Sequence, residues 1–482
     1  MNNALPTPEN TGRLPSFGYR RDRCRAGVLH IGVGAFHRAH QAVFFDRLLH
    51  RPGISDWGII GVNLRPQDRA FIQAMTARDN RYALKTLSPQ GETEYREIGS
   101  ILRTVDASRD LAAAAALAAD PGIAVISATV TESGYYLRED GRLDTEAEAV
   151  RQGLNTGQGG CLYAYLRQAL THRRAAEAGP LTLINCDNLR GNGDRLRAGL
   201  DQYLRAAGDS NLRDWIDAHV SFPNGMVDRI TPRPGPETVA DVERRFGVRD
   251  PLALTAERFL QWVLEDNFAG RRPPLDRVGV TYVDDVTPYE DAKIRILNAG
   301  HSITAYLAAL KGYTDYARAI ADPMVSALFE QFQTEDAIPA LGRSPVNLTE
   351  YKTIVRERFG NPHISDAVAR ICMDGADKMS HFILPTLEDR YRRSHRPDAT
   401  LQGVAAWYVY MRHVLAGVAA VEYIDPRWES LKPLLAPSRE PAFARAADLW
   451  GRLPTAFPAF PTDLLAAIAA LQARFPITAA QP

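Results

Sequence analysis

GVLHIGVGAFHRAHQAVFFDRLLH, Gly27 to His50, runs an apolar strand straight into a glycine turn and then into a helical period, and few folds accommodate that order. Val28 to Ile31 reads as a short buried strand, Gly32 and Gly34 as a tight turn, and the segment from Phe36 or His37 onward carries helical spacing of its apolar residues. WGIIGVNL, Trp57 to Leu64, reads as a second buried strand and completes a βαβ unit. GIAVISATVTESGY, Gly122 to Tyr135, and GPLTLINCDN, Gly179 to Asn188, add two apolar strands that end in polar residues. Helical patterns from Leu111 and Leu162 lie between the strands. This alternation predicts an α/β domain on a mainly parallel, doubly wound sheet of the Rossmann type, with ligands outside the carboxyl ends of the strands.

After DRVGVTYVDDVTPYEDAK, Asp276 to Lys293, strand signals nearly vanish and long helical periods take over, among them DPMVSALFEQFQ, LTEYKTIVRERF, HISDAVARICMDG and GVAAWYVYMRHVLAGVAAVEY. The change places a boundary near Val286 and Pro288, giving a first domain over 1–287 and a mainly α-helical second domain over 288–482. The proline-rich stretch Ala456 to Thr462 reads as a loop between terminal helices.

Charge narrows the partners. Lys+Arg and Asp+Glu both number 57 in 482 residues, so no basic or acidic excess points to nucleic acid or a membrane surface. No run approaches the roughly 18 to 20 apolar residues needed to cross a bilayer, and the N-terminal stretch lacks a signal-peptide core. Cys24, Cys161, Cys186 and Cys372 form no CxxC, which fits neither a disulfide framework nor a cysteine zinc site and predicts a reducing cytoplasm. A small-molecule partner is expected.

GVGAF supplies only GxG. Glycine lets the main chain turn with positive φ and approach a diphosphate that the following helix N-terminus would stabilise, yet the same pattern fits a plain turn. GVNLRPQD puts Asp68 after the second strand, where a carboxylate could take the two ribose hydroxyls of NAD and repel a 2′-phosphate, with Arg65 and Arg69 near enough to soften that preference. HRAH, His37 to His40, lacks the further ligands a zinc site needs, so no metal is expected.

KIRILNAGHSITAY, Lys293 to Tyr306, mixes a lysine, an asparagine and a histidine into an apolar helical period. At about 100° per residue from Lys293, Leu297 falls at about 40°, His301 at about 80° and Asn298 at about 140°. The polar groups share an arc with aliphatic ones, where a surface helix would separate them. Such a face suits alcohol oxidation: a hydride leaves the carbinol carbon for a nicotinamide while Lys293 takes the hydroxyl proton, provided an apolar pocket lowers its pKa. Asn298, with a second amide such as Asn188, could stabilise the alkoxide, and His301 could hold the hydroxyl in line. A snorkelling lysine beside a satisfied core His and Asn fits the helix alone equally well.

Tyr289 and Lys293 also form YxxxK, a spacing common by chance and here at a domain boundary, so it is set aside. NCDNLRGNG, PNGMVDRITP and ARICMDGADK are polar clusters that suit a polyhydroxylated ligand, although each alone reads as a turn.

Taken together and in order, HIGVGAFHRAHQ, TVTESGYY, NCDNLRGNG, MVDRITPR, ERFLQWVLED, TPYEDAKIRILNAGHS and DGADK resemble the polyol-specific long-chain dehydrogenases, the mannitol dehydrogenase family, from about residue 28 to about residue 425. The resemblance implies metal-independent, NAD-dependent oxidation with Lys293 as base, Asn188 and Asn298 as the oxyanion pair, His301 orienting the substrate and Glu132 passing protons between the lysine and solvent. It places Gly32, Gly34, Phe36 and Asp68 at the nucleotide and Asp228, Arg370 and Lys378 at the polyol. RYALKTLSPQGETEYREI, AGPLTLINCDN, TEDAIPALG and RPDAT suggest kinship with members that turn D-arabinitol into D-xylulose, with D-mannitol-oxidising members the close competitor and hexuronate reductases more distant. A non-catalytic NAD-binding protein is the alternative of another class. The family includes monomers, which makes a monomer the expected state.

Two departures stand out. Gln67 replaces a carboxylate found in some relatives before the ribose-binding aspartate, which weakens the expected discrimination against NADP. Ser380, in ADKMSHF, replaces the more usual proline and puts the shape around Lys378 in doubt.

Overall fold

The computed structural model describes residues 12–130, 132–138, 140–364 and 366–477. The chain divides into two compact units, one ending at Thr287 and the other beginning at Pro288.

The described strands of the first unit are β1 (Ala26–Ile31), β2 (Gly58–Asn63), β3 (Tyr82–Leu87), β4 (Thr93–Ile98), β5 (Ile101–Asp106), β6 (Val125–Ala128), β7 (Leu181–Asn185), β8 (Val220–Ser221), β9 (Gly225–Asp228), β10 (Leu254–Glu257), β11 (Gln261–Glu265) and β12 (Thr281–Val283). Six of them form one sheet in the order β5-β2-β1-β6-β7-β8, every pairing parallel. From β1 the chain steps outward through β2 and β5, then returns to the other side for β6, β7 and β8. This is doubly wound order with its switch point between β1 and β6. Two three-stranded sheets, β10-β3-β4 and β12-β11-β9, come from short strands that the apolar-run reading did not single out.

Burial explains why the central strands read as continuous apolar runs. Leu29 and Ile31 pack on one face with Val62, Ile126 and Leu183, while Val28 packs on the other with Ile59, Val125 and Ile184. Alternate residues point to opposite faces, and both faces are covered. Each such side chain contributes roughly 1.5–3 kcal/mol on burial.

Among its described residues, the regular structure of the second unit is helical apart from an isolated bridge between Asp315 and Ala367. Pro323–Gln331 and Leu348–Phe359 are helices where the periods predict them. The long period near Trp407 forms a helix over Asp398–Leu415, starting earlier than its apolar run and stopping before Val418, because Gly417 takes φ +71° and ends it. Of the described residues in HISDAVARICMDG, Val368–Cys372 is helical and Gly375 opens the next short helix, Gly375–Lys378. The tail breaks only at Phe457 and Pro458, since Pro461 fits the first turn of the helix Ala459–Arg474, where its missing N–H costs nothing.

Three segments of this unit, Lys293–Asn298, Phe332–Ala337 and Met379–Ile383, are π-helical, and the first packs against the other two. No described helix of the chain is long and apolar enough to cross a membrane.

Candidate active site

In the first unit, Gly32 follows β1 beside the switch point with φ +92°, and a Cβ there would lie 2.5 Å from Thr129 O. Only glycine fits both demands. Its N–H donates to Val62 O at 2.8 Å. Gly34 is different: its φ is −105°, and a Cβ would meet nothing closer than Gly32 O at 3.8 Å. Internal packing does not require that glycine, so what it preserves is a bare main chain, which is what an approaching diphosphate needs.

The helix after the turn is shorter than its period suggests. It covers Ala35–Ala39, breaks at His40 and restarts over Gln41–Leu49. Five residues sum to little dipole, so anion contact would rest on the loop N–H groups rather than on a long helix end. Phe36 is half-buried and stacks on His40 at 5.0 Å between centroids.

Asn63, at the end of β2, links the glycine turn to the predicted ribose carboxylate. Its Oδ1 accepts from Val33 N at 3.0 Å and its Nδ2 donates to Asp68 Oδ2 at 3.2 Å. Arg65 holds the same carboxylate from the solvent side, Nε to Oδ2 at 3.1 Å and Nη2 to Oδ1 at 2.9 Å. Arg69 is turned away, paired with Asp106 at 3.1 Å.

The histidines of HRAH serve packing. His37 is fully buried and stacks on His30 with 3.4 Å between centroids, and the His40 Nε2 lies 2.8 Å from Gln261 O. His30 Nε2 lies 3.3 Å from Gly32 O, which can only accept, so that nitrogen carries the proton and the Ser127 hydroxyl donates to Nδ1 at 2.8 Å. Burial pushes the His30 imidazole down to about 3 and lowers that of His37 well below its usual value. Among the described residues, no group of three or more His, Cys, Asp or Glu is placed to hold a metal ion.

At the carboxyl end of β7, Asn188 is exposed and the preceding Asp187 is buried. Asp187 Oδ1 accepts from Leu189 N at 2.9 Å, and its Oδ2 accepts from the Tyr135 hydroxyl, which in turn accepts from Asn185 Nδ2. The turn carrying Asn188 is thereby tied to Glu132–Tyr135, a short 3₁₀ turn beyond β6. The Glu132 side chain lies outside what the structure describes. Asp228 ends β9 with only 5% of its surface exposed.

In the second unit, Lys293 is buried and Asn298 half-buried, both on the first π-helical segment. Its i→i+5 pairing inserts one residue into the turn and sets everything beyond it back by about 100°. Relative to Lys293, Asn298 moves from about 140° to about 40°, and His301 from about 80° to about −20°. Lys293, Asn298 and His301 therefore share one narrow face.

His301 packs among aromatic rings, with Arg370 and Lys378 near enough for their charges to act on it. Its ring stacks on Phe359 at 4.5 Å and meets Tyr316 edge-on at 4.4 Å. Burial pushes its imidazole down to about 3, against the nearby Asp366 carboxylate and with the help of the Lys378 and Arg370 cations. Arg370 is clamped by Asp366, Nε to Oδ1 at 2.6 Å, and this hydrogen bond raises its pKa. Lys378 Nζ donates to Ile371 O at 2.8 Å, and burial lowers its pKa. Ser380 uses its hydroxyl to reach Ala376 O at 3.2 Å within the third wide turn.

Several of these positions carry no sequence signal. Asp366 is one carboxylate among many, and Tyr135, Asn185 and Asn63 look like ordinary strand-end residues until the sheet brings them together. Only the TESGY and NCDN clusters marked where to look.

Residues 26–277 match the mannitol dehydrogenase Rossmann domain and residues 285–445 the mannitol dehydrogenase C-terminal domain. The chain is 41% identical to a D-arabinitol 4-dehydrogenase of Klebsiella pneumoniae over 399 residues, 82% of this chain and 87% of that one. It resembles the structure of a D-sorbitol dehydrogenase in substrate-free form, with TM-score 0.88 and 30% identity over 98% of this chain and 99% of the other. It also resembles Pseudomonas fluorescens mannitol 2-dehydrogenase, solved as a ternary complex with NAD and D-mannitol, with TM-score 0.82 and 34% identity over 95% and 94% of the two chains. With both family domains matched in order along one chain, this protein is a dehydrogenase and belongs to the mannitol dehydrogenase family.

Proposed function

We propose that the protein oxidises a polyol with NAD, that D-arabinitol going to D-xylulose is its reaction, and that Lys293 is the general base. The observation that carries the chemistry is the wide turn that gathers Lys293, Asn298 and His301 onto one face. D-arabinitol is favoured by the 41% identity to a D-arabinitol 4-dehydrogenase; the likeness to a mannitol 2-dehydrogenase makes D-mannitol to D-fructose the second reading.

The residues of the first unit fit NAD: Gly32 for the turn, Gly34 for close approach, Phe36 beside it and Asp68 for the ribose. NAD held by these residues would supply the acceptor for the hydride that leaves the carbinol carbon. Lys293 takes the hydroxyl proton, and Glu132 passes it onward to solvent. Asn188 and Asn298 donate hydrogen bonds to the oxygen as its charge grows, which is worth roughly 2.7–4 kcal/mol for one such donor elsewhere. His301, neutral, donates to or accepts from the same hydroxyl and fixes its direction, while Asp228, Arg370 and Lys378 pair the remaining hydroxyls. No step calls on a metal ion.

Initial rates of NAD reduction with D-arabinitol, D-mannitol, D-sorbitol and xylitol, repeated with NADP and after chelator treatment, test this. A chelator-insensitive preference for D-arabinitol supports the assignment. A preference for D-mannitol moves the substrate to the second reading and keeps the mechanism. NAD binding with no turnover of any polyol would leave a binding protein.

A further inference from the structure

A π-helical turn is less favourable than the α-helix it interrupts, and it persists where surrounding groups hold it, frequently at functional sites. The turn Lys293–Asn298 is held from outside. The side chain of Gln333, with no exposed surface, donates its amide Nε2 to Ile296 O at 2.7 Å, inside the segment where the main-chain pairing changes register. We propose that Gln333 is a positioning residue for catalysis, whose amide holds the wide turn that puts Lys293 and Asn298 on one face.

Three further features bear on this. Gln333 sits on a second π-helical segment, Phe332–Ala337, which is itself anchored: Asp336 Oδ2 accepts from Thr400 N at 2.8 Å and Thr400 Oγ1 at 2.7 Å. The amide thus projects from a fixed base. On the receiving helix, residue 300 is glycine, and a Cβ there would come within 2.6 Å of Gln333 Nε2 and 3.2 Å of the Phe329 ring. The missing side chain is what lets the amide reach the turn. Beyond it, Thr304 Oγ1 donates to Gly300 O at 2.6 Å, fixing the helix where it resumes α-helical pairing.

Gln333 is a neutral amide that does not titrate near neutral pH, and its Nε2 bond goes to a carbonyl. Its effect on the reaction passes through geometry: without it the turn can relax toward α-helical pairing, and Asn298 and His301 rotate away from Lys293. Misplacement of reacting groups by about 1 Å costs on the order of 10²-fold in rate. The inference rests on the assignment of Lys293 and Asn298 as base and oxyanion donor.

The test is Gln333→Met, which keeps the length and removes the donor, with Gly300→Ala as an independent way to displace the same amide. Expected for Gln333→Met is a fall of roughly 10- to 100-fold in kcat and kcat/KM together, NAD affinity unchanged, and a larger isotope effect on kcat with carbinol-deuterated D-arabinitol because hydride transfer has slowed. Gly300→Ala should do the same and add little in the Gln333→Met background, since both remove one bond. A merely structural role would lower Tm while folded enzyme kept its turnover and isotope effect, and that result overturns the inference. If Gln333→Met does not fold, unchanged turnover in Gly300→Ala overturns it instead. Lys293→Ala separates the two levels: full activity there defeats the functional reading, whereas an inactive Lys293→Ala beside a fully active Gln333→Met defeats only the role of Gln333.

Discussion

Asp68 shows how a single side chain can carry two opposed preferences. Its carboxylate should repel a 2′-phosphate, yet Arg65 lies across it as a bidentate partner on the solvent side. Asp68→Ala should therefore weaken NAD use and release Arg65 to a 2′-phosphate, raising the NADP-to-NAD ratio of kcat/KM by about 10-fold or more; an unchanged ratio would remove Asp68 from the ribose site. His301 makes a second prediction. Burial holds its imidazole neutral, down to about 3, so no limb of the rate profile above about pH 5 belongs to it. His301→Asn, which keeps a neutral hydrogen-bonding group, should lower kcat/KM by roughly 10-fold without moving the apparent pKa of the pH profile. A shifted acid limb in that variant would show that His301 titrates during turnover.

At the scale of elements, the stacked rings of His30 and His37 clamp β1, β6 and the glycine turn. Folding keeps both imidazoles neutral below the usual value of about 6.5, so the unfolded chain binds more protons in a window that opens at about pH 6.5 and, for His30, extends down to about pH 3. Stability is full above that window and is lost as pH falls through it. His37→Phe keeps a flat ring without a titrating nitrogen, and its Tm should fall less than that of the parent between about pH 7 and about pH 5. Equal falls would mean that the pair does not govern acid stability.

The same scale decides what could be read from the sequence. Val28 to Ile31 in β1 and Leu181 to Ile184 in β7 lie in strands covered on both faces, so an apolar run betrayed them. β3, β4 and β10 to β12 have mixed burial and β9, though buried, is only Gly225–Asp228 and ends in a carboxylate, so none gives a comparable run. The wide turn at Lys293 was hidden for a different reason. Periodicity assumes a constant pitch, and the cause of the local change, the Gln333 amide, lies 37 positions from Ile296 in the chain. The residue types were legible there; their common face was not.

On the scale of the whole molecule, the residues proposed for the cofactor and those proposed for the chemistry lie on different units. The glycine turn and Asp68 belong to the first, and Lys293, Asn298 and His301 to the second. A change confined to Lys293 should therefore abolish chemistry and spare cofactor binding. The direct test is Lys293→Ala assayed by single-turnover oxidation of D-arabinitol, with NAD affinity measured on the same preparation by titration calorimetry. The account predicts a fall in kcat on the order of 10²-fold or more with the NAD Kd unchanged. Undiminished turnover in that variant would contradict it.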